Sequence, residues 1–176
     1  YLYVLSADNG LFLKVKLQRH IICDTLARNV STANISPGHT YFALGMQNGK
    51  IIVYEAKSET KRYQLNPEHL KPSTTLAFNR GETKIAYSNE KGKLIIQGLD
   101  GKIYSRLTDK NSRKMIWSSV LFNANDKNLV TLSSIGTVYV WDIFNDKLKI
   151  SKEFAAKAIA PTPDSYAILV ANSRGL

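Results

Sequence analysis

The sequence predicts an all-β fold made of four-stranded antiparallel sheets repeated side by side. Three observations predict it. A glycine that closes a tight turn recurs at Gly10, Gly49, Gly92, Gly136 and Gly175, at intervals of 39, 43, 44 and 39 residues. Runs with apolar positions at a period near two flank the first four of these glycines on both sides. Leu129, Thr131 and Ser133 against Val130 and Leu132 are one example, and the pattern suits strands rather than helices. No stretch carries a helical period. A repeat of this length built on paired strands is the mark of a propeller blade, too thin to bury its own faces and therefore stacked on its neighbours.

The elements follow in order. The runs ahead of the glycine are 1–10, 41–49, 83–92, 129–136 and 166–175, and those behind it are 11–16, 50–55, 93–98 and 137–142. Asn9-Gly10 and Asn48-Gly49 are hairpin signals, since glycine supplies the positive φ such turns require. Four residues before the glycine sits a small residue, Ser6, Gly45, Ser88 or Ala171, a place taken by Ser133 in the fourth copy. A third run ending in a polar break lies upstream at 32–38, 75–81, 120–126 and 158–164. From the break to the glycine is 11 residues for Gly38 to Gly49, Gly81 to Gly92 and Asp164 to Gly175, and 10 for Asp126 to Gly136. All five prolines (Pro37, Pro67, Pro72, Pro161 and Pro163) fall between predicted strands, where a missing N–H costs nothing. The count is three strands, then three sets of four, then two. The chain is therefore expected to be one domain over 1–176, an incomplete arc of about four blades. Its repeats are 1–28 (partial), 29–66, 67–109, 110–154 and 155–176 (partial). Starting inside a strand and without Met, it reads as a piece of a longer protein; a small propeller closed as it stands is the alternative.

The segment 120–150, with Trp141-Asp142 ending its third strand, resembles a near-standard WD repeat. The other copies are degenerate. Val15, Tyr54 and Gln97 stand where this copy has Trp141, and Lys16, Glu55 and Gly98 where it has Asp142. The Gly-His pair that opens a standard repeat is absent, and the Asp of the turn before the third strand occurs only as Asp8. The Asp-His-Ser-Trp hydrogen-bond network of standard repeats is therefore not expected. The resemblance spans the whole chain as a repeat pattern and is specific in one copy. It implies a WD-repeat β-propeller with structural roles for the turn glycines, Trp141 and Asp142. It also implies a non-enzymatic scaffold that holds other protein subunits in an intracellular assembly.

Composition fits a globular domain, with 44% hydrophobic and 22% charged residues and enough chain for a sizeable core. No apolar run approaches the roughly 18 residues of a membrane span, so membrane insertion is not expected. The single cysteine, Cys23, cannot form an internal disulfide and is expected as a buried thiol in a reducing compartment. Twenty-four Lys and Arg against fourteen Asp and Glu give +10, a balance that favours polyanionic partners. Lys102, Arg106, Lys110, Arg113 and Lys114 crowd into 101–114 against Asp109 alone, and the turns hold Lys50, Lys91, Lys93 and Arg174. In a blade, the loop crossing to the next blade shares an edge with the turns after the second strand, so one basic rim is expected. Tyr104 and Trp117 flank the cluster as candidate base-stacking platforms. Trp117, Tyr41, Tyr63 and Tyr139 also read as packing between blades, because strands favour aromatic side chains.

Patterns that carry chemistry are missing from the sequence. His20, His39 and His69 fall in separate loops without metal-ligand spacing. Asn48-Gly49-Lys50 and Lys91-Gly92-Lys93 lack the Ser/Thr and helix of a phosphate-binding loop. The acidic residues show no paired spacing for acid–base work. No cofactor, metal, small-molecule substrate or enzymatic activity is expected. Two readings remain for the basic rim. One is a scaffold contacting other protein subunits inside a ribonucleoprotein such as a ribosome-assembly particle, in the nucleus or nucleolus. The other is a propeller that binds RNA directly. A membrane-trafficking or coat scaffold is a third possibility, since fold does not choose among them.

Overall fold

The computed structural model describes residues 2–6, 8–17, 21–67, 71–73, 75–88, 92–108, 115–162 and 167–172. Among them are seventeen strands and no helix. The first sheet holds β1 (Leu2–Ser6), β2 (Leu11–Leu17) and β3 (Ile21–Ala27). The second holds β4 (Val30–Ile35), β5 (Tyr41–Met46), β6 (Ile51–Glu55) and β7 (Lys61–Leu65). The third holds β8 (Leu76–Phe78), β9 (Lys84–Ser88), β10 (Leu94–Gly98) and β11 (Ile103–Leu107). The fourth holds β12 (Trp117–Phe122), β13 (Asn128–Ser133), β14 (Thr137–Asp142) and β15 (Lys147–Glu153), and the fifth β16 (Ala156–Pro161) and β17 (Ile168–Asn172). Each sheet is an antiparallel meander in chain order. The all-β, blade-like fold expected from the repeat is the one observed.

The inner strands β4, β8, β12 and β16 pack against one another in succession, so the blades follow as an arc. Between the second and third blades lie Ala43, Val53 and Leu65 against Phe78, Ile85 and Tyr87. Between the third and fourth lie Leu94, Ile96 and Leu107 against Trp117, Tyr139 and Trp141. Burying each large apolar side chain contributes about 1.5–3 kcal/mol, which is what an isolated sheet cannot obtain.

Antiparallel alternation sorts the connections onto two opposite edges. The crossing edge carries the turn between the second and third strands of each blade (47–50, 134–136) and the passage to the next blade. The far edge carries the loops at 36–40, 79–83 and 123–127 and the turns at 56–60, 99–102 and 143–146. On the crossing edge the periodic glycine does more than close a turn. At Gly136 φ is 87°, and an added Cβ would lie 2.8 Å from the backbone nitrogen of Ala156 in the next blade; at Gly10 it would lie 2.9 Å from the backbone oxygen of Val30. Their carbonyls accept hydrogen bonds from those same residues, Val30 N–H at 2.9 Å and Ala156 N–H at 3.0 Å. The Trp117 indole donates in the same sense to the Gly92 carbonyl, at 2.9 Å.

On the far edge the blades are clasped by acidic side chains. Glu59, Glu82, Asp126 and Asp146 have φ between 51° and 57°, a left-handed conformation costly for residues with a Cβ. Each reaches back to the preceding blade. Glu82 accepts from Gly38 N–H at 2.6 Å. Asp126 accepts from Asn79 Nδ2 at 2.8 Å and from the backbone N–H groups of Arg80 at 2.9 Å and Gly81 at 3.4 Å. Glu59 pairs with Lys14, and Asp146 accepts from the Ser105 hydroxyl.

Within the blades, one pair of facing positions is filled three ways. In the fourth blade the Trp141 indole donates to Thr131 Oγ1 at 3.0 Å. In the third the polarity is reversed, with the Tyr87 hydroxyl donating to Gln97 Oε1 at 3.1 Å. In the second, Leu44 and Tyr54 are apolar partners and the Tyr54 ring stacks on Phe42 at 5.0 Å. Cys23 departs from expectation: it is exposed. The reason is its strand, since β3 is the last of its sheet and pairs only with β2. Tyr63, expected as packing, is likewise partly exposed on the outermost strand β7, whereas Trp117 and Tyr139 are buried.

Candidate functional site

The crossing edge brings together some of the basic residues expected there. Lys50 is exposed in the β5–β6 turn, whose geometry is fixed by a Lys50 N–H to Asn48 Oδ1 bond of 3.1 Å and by Gly49 at φ 84°. Lys93 is exposed at the start of β10. Leu94 pairs with Leu107, so the passage that leaves β11 begins beside Lys93, and Arg106 is exposed on β11 close to that end. Lys102 lies elsewhere. Gln97 pairs with Ile103, which places Lys102 on the far edge, about 17 Å from Lys93 along the strand. Lys91, Lys110, Arg113, Lys114 and Gly175 lie outside the described residues, as do Asp109, Arg174, His20 and His69.

Trp117 is no stacking platform, being buried with its indole nitrogen bonded to Gly92. Tyr104 is 45% exposed, and Lys84 Nζ sits 4.2 Å and Lys102 Nζ 5.3 Å from its ring centroid. Among the described residues no group of three or more His, Cys, Asp or Glu is placed to hold a metal.

The crossing edge also carries an apolar patch. Ile116 is 59% and Ile135 68% exposed. The bond from Ser134 N–H to the Ile116 carbonyl, 2.9 Å, places them side by side. Phe154 joins them through its N–H, 3.3 Å from the Gly136 carbonyl, and Lys152 Nζ lies 5.2 Å from the Phe154 ring centroid. A signal was present in the sequence: Ile135 precedes its turn glycine where the first two repeats have Asn9 and Asn48.

Asp142, at the end of β14, is a structural carboxylate. Hydrogen bonds from the Asn145 amide (3.0 Å) and from Lys149 Nζ (3.1 Å), together with the Asn145 N–H, hold its pKa down to about 2. Glu55 ends β6 in the same place. The Ser58 hydroxyl and then Arg62, whose Nη2 lies 3.0 Å from both carboxylate oxygens, lower its pKa.

Stacked antiparallel blades, a turn glycine buttressing the next blade and a Trp-Asp strand end give an arc that resembles the blades of WD-repeat β-propellers. Two likenesses support that placement. The chain is 27% identical over 117 residues to "Protein LST8 homolog" of Drosophila melanogaster, a match covering 64% of this chain and 37% of that protein. In fold it matches a chain of a structure titled "Crystal Structure of Mitotic Checkpoint Complex", with a TM-score of 0.75 and 17% identity over 97% of this chain and 54% of that one. The chain thus spans well under two thirds of the length of either. No protein-family model matches it.

Proposed function

We propose that this chain is a non-enzymatic protein-interaction scaffold within a multi-subunit assembly, with its partners seated on the crossing edge. The observation that carries this reading is the exposed pair Ile116 and Ile135, extended by Phe154 and bordered by Lys152 on the same edge as Lys50 and Lys93. Exposed apolar side chains rimmed by polar groups mark interaction sites. In such a site apolar anchors supply affinity, while the surrounding charges set encounter rate and orientation. The cationic border favours an acidic partner surface. The likeness in fold to a chain of a structure titled for a mitotic checkpoint complex is consistent with life inside an assembly.

The test is partner recovery from cells by the full chain carrying Ile135→Asp, and separately Lys50→Glu with Lys93→Glu. The expected outcome is an unchanged melting temperature and at least a tenfold loss of co-purifying protein for Ile135→Asp, with a smaller, salt-dependent loss for the lysine pair. Unchanged recovery with both variants would sink the assignment.

The net charge of +10 favours a second reading: a ribonucleoprotein setting, nuclear or nucleolar, in which the crossing edge touches RNA. Crosslinked RNA mapping to Lys50, Lys93 or Arg106 would support it, and a salt slope would then count the phosphates neutralised.

A further inference from the structure

The loops that follow the inner strands on the far edge share one construction. Ser36, Asn79 and Asn123 each accept a backbone N–H five residues on, from Tyr41 at 3.0 Å, Lys84 at 2.7 Å and Asn128 at 2.9 Å. The residues that come next are therefore equivalent, and they are Pro37, Arg80 and Ala124. The middle blade of the three carries a guanidinium where both its neighbours are apolar. The backbone beneath that guanidinium is held from the following blade, through the 2.9 Å bond from Arg80 N–H to Asp126.

A groove of about 670 Å³ opens at these positions, where the inner strands reach the far edge. Among the described residues that line it, Arg80 alone is charged. Arg80 is exposed, and its side chain has no ion pair to any described carboxylate. Asn34 and Asn123 line the groove as well. The Oδ1 of each is already taken, by Phe78 N–H at 3.2 Å and by Asn128 N–H at 2.9 Å, which leaves the Nδ2 group of each to donate. Beside these donors stand Ile35, 41% exposed, and the exposed rings of Pro37 and Pro161.

The acids of the same loops, Glu82 and Asp126, are not among the lining residues and are spent on neutral donors. Glu82 accepts from the Gly38 N–H and from the Ser36 and Thr40 hydroxyls. Asp126 accepts from Asn79 Nδ2 and from the Arg80 and Gly81 N–H groups. The polar side chains that line the groove therefore offer donors and one positive charge, and what complements them is an anionic acceptor.

We propose that this groove docks a short acidic segment of a protein partner, whose Asp or Glu carboxylate pairs with Arg80 while an adjacent apolar side chain lies against Ile35 and Pro37. The site is on the opposite edge from Ile116 and Ile135, so it gives the scaffold a second contact surface. A guanidinium meets a carboxylate through two parallel hydrogen bonds, which adds direction to the charge attraction. The aromatic rings that line the groove, Phe78 and Phe122, are buried. Single-stranded nucleic acid needs exposed rings to stack on, so the walls favour a peptide.

The experiment is selection of random dodecapeptides displayed on phage against the full chain, followed by affinity measurement of the enriched peptides on variants. Enriched peptides should carry Asp or Glu next to an apolar residue. Their affinity should fall about tenfold for Arg80→Gln and for Ile35→Asp, and by less for Arg80→Lys, which keeps the charge and loses the fork. It should hold for Lys127→Gln, which removes an exposed far-edge charge outside the groove. Because the Arg80 side chain is exposed and unpaired, Arg80→Gln should leave the melting temperature unchanged. Absence of enriched peptides, enrichment without acidic residues, or affinity that is kept in Arg80→Gln would overturn the proposal. An equal loss in Lys127→Gln would overturn it as diffuse charge attraction, and a loss confined to Ile135→Asp would move the peptides to the crossing edge. Tighter binding of an oligouridylate at Arg80 than of any peptide would overturn it in favour of nucleic acid.

Discussion

Trp141 shows how much one side chain can hold. Its ring is fully buried, stacks on Tyr139 at 6.1 Å and meets Trp117 edge to face at the same distance, while its indole nitrogen satisfies the buried Thr131 hydroxyl. Trp141→Ala should therefore destabilise by about 3–5 kcal/mol, combining lost burial with a cavity and an unpaired hydroxyl. Denaturant unfolding checks this, and a loss below about half a kcal/mol would mean the site relaxes around the truncation. Trp141 was also the most readable residue in the sequence, because Trp-Asp at a strand end is rare by chance. Its hydrogen-bond partner was not readable. The standard partner residues are missing, and Thr131 takes the role through the register of β13 with β14, which alternation alone does not reveal.

At the level of single elements, turns and loops carry the coupling between blades. Gly136 combines a left-handed φ with a backbone approach that leaves no room for a methyl group. Gly136→Ala should cost about 2–3 kcal/mol, read as a lowered denaturation midpoint with an unchanged slope. The period of the glycines announced the turns, but the contact with the next blade could not be foreseen from them. The far-edge loops add a pH dependence. Burial pushes the Glu82 carboxyl up, but hydrogen bonds from Ser36, Thr40 and the Gly38 and Thr40 N–H groups outweigh it, and its pKa ends below the ordinary value. A depressed native pKa means the carboxylate stabilises the fold above the unfolded-state value, and that this contribution is lost as pH falls through the native one. Glu82→Gln should lower stability near neutrality by about 1–2 kcal/mol and flatten the decline of the wild-type curve below pH of about 4.3. Parallel wild-type and variant curves across that range would refute the role.

For the whole molecule, the repeat made the blades and their two edges legible, because strand alternation alone assigns every turn to one side. Lys50 and Lys93 could thus be placed together from the sequence, whereas Lys102 was separated from them only by the position of the β10–β11 turn. The exposure of Ile116 and Ile135 is not legible in the charge pattern, which carries no information about apolar side chains.

The acidic clasps point one way along the chain. The amides of the 36–40 loop are capped by Glu82, and those of the 79–83 loop by Asp126, each from the blade that follows. A blade emerging during synthesis consequently waits for its successor before its own loop is finished, although the bond from Phe78 N–H to Asn34 Oδ1, 3.2 Å, runs the other way. Deleting the fourth blade would uncap the third, while deleting the second would leave the third's cap in place. Cooperativity along the arc is thus a ratchet, tightened from the C-terminal side, and stalled or shortened chains would fray first at the last blade made.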